Sequence, residues 1–493
     1  MELKKKILIC LLLLCPLSLF ANFDFNANCL KAYQSIFELK LNSARQMIAN
    51  EKKVRPNNAI VPLLEDYIDY FYLLSTGSKT EFERLEGNKS KRLAQLSNDD
   101  NKSPYFLYAQ AEVNLHWALL RSYYGSYYTA AREINRASNL LEENAKKFPA
   151  FHLNAKGLGL IQVLMGSLPD GFLKSTLATF GIKGDVNVGL AMLDKLAENL
   201  PRSAYEPFYE EVVFSYIYVL NDVIHSPVAY AKTMKYTARF SDSSLLKTYL
   251  QAYVSSRNGE NDKAISVLND RPTGSLYQPF PYLDYLMGVA RLNKLDFSAA
   301  TYFEKYLQNN KGVNYIKDAN LRLAWIELLK GDENGYNQFT GKVKSAGFVY
   351  LDKDKQALNE ANAAMPNKLL LNARLLYDGG YLTKSLELLE DHNTDNFGSV
   401  KDKVEFKYRL GRLYQDLGKE DTAINHYQYA INNGKALKQY YAAKSAVLVG
   451  GIYEKKKNTL KARSYYNIAI NFKNHEYEVG IENEAKKGLK RIQ

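Results

Sequence analysis

Over residues 408–430 the small and apolar positions fall in a set order: Leu410 and Gly411, then Tyr414, Ala423 nine residues on, Tyr427 four later and Ala430 after it. The order recurs as Val449, Gly450, Tyr453, Ala462, Tyr466 and Ala469. Spacings of three and four predict helices with one apolar face each, two helices to a unit. Gly411 and Ala423 stand where the two helices approach, because a larger side chain there would force them apart, and Tyr414 and Tyr427 fill the space beside them. Gly418 followed by Lys419-Glu420-Asp421 predicts the end of one helix and an acidic first turn for the next.

Weaker copies lie upstream. Ala252, Gly259, Ala264 and Leu268 take the same places, as do Ala373, Leu376, Gly380, Ser385 and Leu389. Met287-Gly288, Phe297, Ala299 and Phe303 fit if one residue is dropped, and Ala32, Leu39, Ala44, Ile48 and Pro56 fit near the start. The pattern resembles the tetratricopeptide-repeat family over most of the chain, most specifically over roughly residues 400–475. The resemblance implies an all-α solenoid of antiparallel helical hairpins wound as a right-handed superhelix. Between residues 60 and 245 the period is lost, although Pro104 to Arg121 and Glu210 to Ile224 still read as helices. Pro272, Gly274, Pro279 and Pro281 mark a seam, giving an irregular helical region over 22–271 and a repeat array over 272–493.

A second stretch, residues 157–193, resembles the eukaryotic tetratricopeptide proteins of the inclusion-body-clearance type through Gly166-Ser167-Leu168-Pro169-Asp170-Gly171-Phe172-Leu173-Lys174, Phe180-Gly181-Ile182-Lys183-Gly184-Asp185 and Gly189-Leu190. That resemblance implies a helical, non-enzymatic adaptor. Physically, Pro169 and Gly171 stop one helix, Phe172, Leu173, Thr176, Leu177 and Phe180 share an apolar face, and Asp185 caps the next helix.

The first residues read as targeting. Lys4, Lys5 and Lys6 precede an almost wholly apolar run from Ile7 to Phe20, and Ala21 is followed by polar residues, so residues 1–21 are expected to be a secretory signal cleaved before Asn22. Cys15 follows Leu14 and Cys29 follows Asn28, so neither has the small residue that lipid attachment requires. The mature chain keeps Cys29 alone, which excludes an intramolecular disulfide. No later apolar run approaches the ~18 residues of a spanning helix. The expected location is the periplasm or the outer-membrane surface of a Gram-negative bacterium.

Composition excludes disorder: 46% of the 493 residues are hydrophobic and only 13 are Pro and 28 Gly. The net charge of +12 falls to +10 without residues 1–21, which carry three Lys and one Glu. The basic clusters Lys52-Lys53 with Arg55, Lys455-Lys456-Lys457 and Lys486-Lys487 with Lys490-Arg491 are short and interrupted by carboxylates, the pattern of solvated helix faces and not of a nucleic-acid surface. Peripheral contact with a membrane and the oligomeric state are left open.

Catalytic and metal chemistry finds no support in the pattern. His116, His152, His225, His392, His426 and His475 are scattered, with no two one helical turn apart and no second Cys near Cys29, so no metal site and no cofactor are expected. Gly157-Leu158-Gly159 lacks a third Gly and a preceding strand, and reads as a close helix contact instead of a nucleotide loop. Glu210-Glu211 and Glu142-Glu143 are adjacent pairs whose side chains diverge on a helix.

The 38 Tyr are the compositional excess. Many of the clustered ones, such as Tyr67-Tyr70-Phe71-Tyr72 and Tyr123-Tyr124-Tyr127-Tyr128, suit helix packing. In a tetratricopeptide unit the first helix lines the inner groove, and residues three before, one after and four after the small slot face it. With slots at Ala252, Gly288, Ala373 and Gly411 this face collects Tyr249, Tyr253, Tyr285, Leu370, Arg374, Tyr377, Tyr408, Arg412 and Gln415, with Arg374 and Arg412 expected to be exposed. Tyr408 and Arg412 replace the Lys and Asn with which family members clamp a terminal carboxylate. The expected ligand is therefore an extended acidic or aromatic-containing segment of a protein or peptide partner. The same side chains are alternatively a stack between adjacent hairpins. A scaffold is the expected function. A glycan-binding protein of an outer-membrane uptake system is the other reading, weakened by the missing lipid-attachment Cys and by having only Trp117 and Trp325 as tryptophans.

Overall fold

The computed structural model describes residues 23–98, 101–168, 174 and 183–493, and every regular element among them is a helix. The leader and most of the 169–182 stretch lie outside the described residues. No described helix is long and apolar enough to cross a membrane. The chain packs as two units, one running to Lys247 and including Pro272–Pro279, the other made of Thr248–Arg271 and Phe280–Gln493. The 248–271 segment thus belongs to the second unit. Its helix Asn261–Asn269 lies on Tyr282–Asn293, and the backbones of Gly259 and Gly380 touch, both glycines in the left-handed region at φ +72° and +81°.

The second unit is a series of helical hairpins, among them Ile316–Lys330 with Glu333–Ser345, Lys368–Asp378 with Leu382–Glu390, Val400–Asp416 with Glu420–Asn433, and Tyr441–Lys455 with Thr459–Asn471. The repeat positions do what their sizes require. A Cβ at Gly411 would stand 2.6 Å from the Tyr427 ring, one at Gly450 would stand 2.7 Å from Tyr466, and one at Gly288 would stand 2.9 Å from Phe303. Ala423, Ala430, Ala462 and Ala469 are buried against the same rings. In the 368–390 hairpin the small polar Ser385 replaces Ala, and its hydroxyl donates to the carbonyl of Ala373 at 2.8 Å, which satisfies it inside the contact. Gly418 has φ +77°, and Glu420 and Asp421 occupy the first turn after it. Ser399 and Asn367 cap their helices by accepting backbone N–H bonds.

The first unit pairs Pro104–Tyr123 with Tyr127–Lys147 and Asn154–Ser167 with Val186–Asn199. Gly159 lets the second pair close, since a Cβ there would lie 3.1 Å from the carbonyl of Gly189, so the Gly157-Leu158-Gly159 run is a helix contact. Asp185 caps its helix through Asn187 N and Val188 N. The helix read from Glu210 to Ile224 ends earlier as an α-helix: Tyr209–Tyr218 continues as a π-helical turn over Val219–Val223.

Candidate functional site

The first helices of successive hairpins in the second unit carry arginines and aromatics on one side. Arg322 and Arg374 both place their guanidinium against the Trp325 indole, at 5.6 and 5.0 Å from its centre. Each has a carboxylate partner. Arg322 Nε donates to Asp318 at 2.5 Å, and Tyr285 donates to the same carboxylate at 2.6 Å. Arg374 donates to both oxygens of Glu360 at 3.1 Å. Burial works against the charge on Arg374, and Glu360 and Asp378 outweigh it, holding the group further above its usual range. Arg409 pairs with Glu405 in the same way.

Beside these pairs is a small open pocket of about 60 Å³, lined by Trp325, Arg374, Glu360, Tyr440, Glu476 and Tyr477 together with the amides of Gln356, Asn359 and Gln439. Tyr440 packs edge-on against Tyr477 at 5.3 Å, and Tyr477, 44% exposed, forms the outer wall. Burial and the neighbouring Glu360 push the Glu476 carboxyl above its ordinary range. The surface therefore combines rings, amides and a near balance of charge.

Of the residues expected on this face, Arg374 alone lines the pocket. Tyr285 and Tyr408 are 4% and 3% exposed, and Tyr408 packs on the lining rings of Tyr440 and Tyr441. Tyr249 and Tyr253 stack on each other at 5.5 Å, beside Phe280 and Tyr282. Arg412 lies over the Tyr377 ring at 4.6 Å and donates to the hydroxyls of Tyr377 (2.6 Å) and Tyr408 (3.2 Å). Gln415 accepts from Tyr427 at 2.7 Å, and Leu370 is buried. Arg374 and Arg412 are thus half-buried and paired, a correction to their expected exposure, because a guanidinium beside a ring and an anionic or hydroxyl partner gains more from those contacts than from facing water alone. The reading missed Trp325, Tyr440, Glu476 and Tyr477. Tyr440 and Tyr477 precede helices instead of lying inside them, so helical spacing carries no sign of them.

The first unit holds a buried ionic cluster. Lys156 donates to both Glu112 and Glu211, and Glu211 also accepts from Tyr33 and Tyr67 at 2.5 Å each. Against the penalty of burial, these bonds hold Glu211 below the usual carboxylate range. Burial raises Glu112, one of whose oxygens has no partner. His116 presents Nδ1 to Asp66 at 2.8 Å, and Asp66 accepts further from Trp117 (2.9 Å) and Arg92 (3.2 Å). One ligand atom each of Glu112, His116 and Glu211 lies within 4.8 Å of the others, a metal-like grouping that a search for paired His and Cys does not find. Glu112 stands one helical turn before His116, the spacing that signals it. The cation between the two carboxylates is the Lys156 ammonium.

No family model matches the chain, and no curated protein matches it. Among solved structures it is similar to the crystal structure of the APC/C hetero-tetramer Cut9-Hcn1, at 14% identity and a TM-score of 0.23, over 95% of this chain and 96% of that one. A superposition that poor transfers no function.

Proposed function

We propose that the protein is an exported scaffold of the Gram-negative cell envelope that binds an extended segment of a partner protein on the face formed by Trp325, Arg374, Tyr440 and Tyr477. The observation that carries this is the pocket between them, where exposed and half-buried rings stand beside charges already fixed by their own partners. Rings held in place lose little freedom on binding, and Arg374 and Glu476 offer both signs of charge to a peptide. The lysine stub and apolar run support export. A photo-crosslinking residue at position 477 or 439 tests the reading in envelope-localised protein. The expected result is one discrete adduct from both positions and none from position 460, where Leu460 is 82% exposed on a second helix. Equal products from all three would end it.

The amides of Gln356, Asn359 and Gln439 beside Trp325 favour a second reading, a glycan, because rings and amides together match the faces and hydroxyls of a sugar. Binding of the purified protein to a glycan array, lost in Tyr477→Ala, would select it.

A further inference from the structure

The first unit contains a cleft of about 270 Å³ that shares Tyr33 with the ionic cluster and no residue with the proposed partner face. Its inner walls are the rings of Tyr33, Phe37 and Tyr209, all nearly buried, and Glu210 lines it. The ring hydroxyls are turned to other work, Tyr33 donating to Glu211 and Tyr209 to the carbonyl of Tyr236 at 3.0 Å. One oxygen of Glu210 is buried and has no hydrogen-bond partner. Among the described residues Glu210 also has no ion-pair partner, and the nearby Lys247 is engaged with Asp242 at 2.6 Å.

A buried acceptor left open in a native fold asks for a donor. The surroundings select its charge. Glu206 at the mouth and Glu38 nearby add negative potential, and aromatic faces attract cations. Among the described residues Arg239 is the one cation lining the cleft; it lies at the exposed mouth, over the Tyr209 ring at 5.9 Å, where water screens it. We propose that this cleft binds a small organic ammonium compound, its charged nitrogen on Glu210 and its apolar body between Tyr33, Phe37 and Tyr209. The volume suits a body of roughly one six-membered ring, well below the size of a drug-like ligand.

Burial, with Glu38 adding to it, pushes the Glu210 carboxyl up to about 7, while a backbone bond from Ser241 and the charge of Lys247 pull the other way. The charged groups around Glu210 are Glu38, Glu206, Arg239 and Lys247. Binding of an amine should strengthen as pH rises from 6 to 8 and Glu210 ionises.

The test uses phenethylamine, with 2-phenylethanol as its neutral counterpart and 3-phenylpropionate as the anion, titrated calorimetrically into the full chain at pH 8. Saturable binding of phenethylamine, at least ten-fold tighter than 2-phenylethanol, with 3-phenylpropionate silent, is expected. Glu210→Gln, close in shape, should weaken phenethylamine at least ten-fold with no loss of melting temperature, and Arg239→Gln should leave it as tight or tighter. Absence of saturation by phenethylamine, equal binding of the alcohol, or full affinity in Glu210→Gln would each overturn the proposal. The ligand series on the unmodified protein decides the matter even where a variant does not fold.

Discussion

Gly411 brings its backbone against the ring of Tyr427, so close that a methyl group on Gly411 would lie 2.6 Å from two ring carbons. Tyr427 cannot withdraw, because it is fully buried and its hydroxyl is tied to Gln415 at 2.7 Å. Gly411→Ala gains helix propensity of up to about 1 kcal/mol, yet overpacking of this kind typically costs about 1–3 kcal/mol. A net loss of stability is expected, seen as a lower urea midpoint, and Gly411→Val should lose more. An unchanged midpoint in Gly411→Ala would mean that the ring shifts freely.

That contact was legible in the sequence because both partners lie in one hairpin and the small-large complement repeats at Gly450 and Tyr466. The ionic cluster was not. Glu112 and Glu211 meet Lys156 across 44 and 55 residues of chain, with no periodic pattern to announce the meeting. Glu210 and Glu211 show how far local reasoning reaches: adjacent side chains do diverge, one into the cluster and the other into the cleft. Where each arrives depends on packing that no window of sequence contains. Arg374 was placed on the right helix, but its partner Glu360 was not anticipated, so its exposure was misjudged.

Lys156→Met should unfold the first unit under mild conditions. It removes the cation between two buried carboxylates, and breaking such a pair costs about 3–5 kcal/mol. The orphaned carboxylates then prefer to be protonated, so the variant should gain stability as pH falls from 7 towards 5, recovering part of its melting temperature. A variant that melts like the parent at pH 7 would show that water already solvates Glu112 and Glu211.

His426 offers a pH test in the second unit. It stacks on Tyr414 at 5.3 Å, and burial followed by the charge of Lys407 lowers it to about 4. The unfolded chain takes up a proton near 6.5 and the folded chain does not until about 4, so the stability tied to neutral His426 is complete above 6.5 and is lost as pH falls towards 4. Roughly 2 kcal/mol should disappear across that window, given the partial burial. His426→Gln should flatten this part of the stability profile. A profile identical to the parent's would place the titration elsewhere.

Binding and stability should separate on the proposed partner face, because Arg374 and Tyr477 serve different ends there. Arg374 neutralises Glu360 and covers Trp325, so Arg374→Gln leaves a half-buried carboxylate with a weaker partner and exposes the indole, a loss of about 1–2 kcal/mol. Arg374→Glu sets two carboxylates side by side and should cost more. Tyr477 is nearly half exposed and, among the described rings, packs on Tyr440 alone, so Tyr477→Ala should shift the melting temperature little while it removes the outer wall of the pocket. If the face binds a partner, Tyr477→Ala loses capture with its fold intact, and Arg374→Gln loses both together. Should Tyr477→Ala capture its partner with unchanged affinity, this face is an internal stack of charge and ring whose work is to hold the hairpins together.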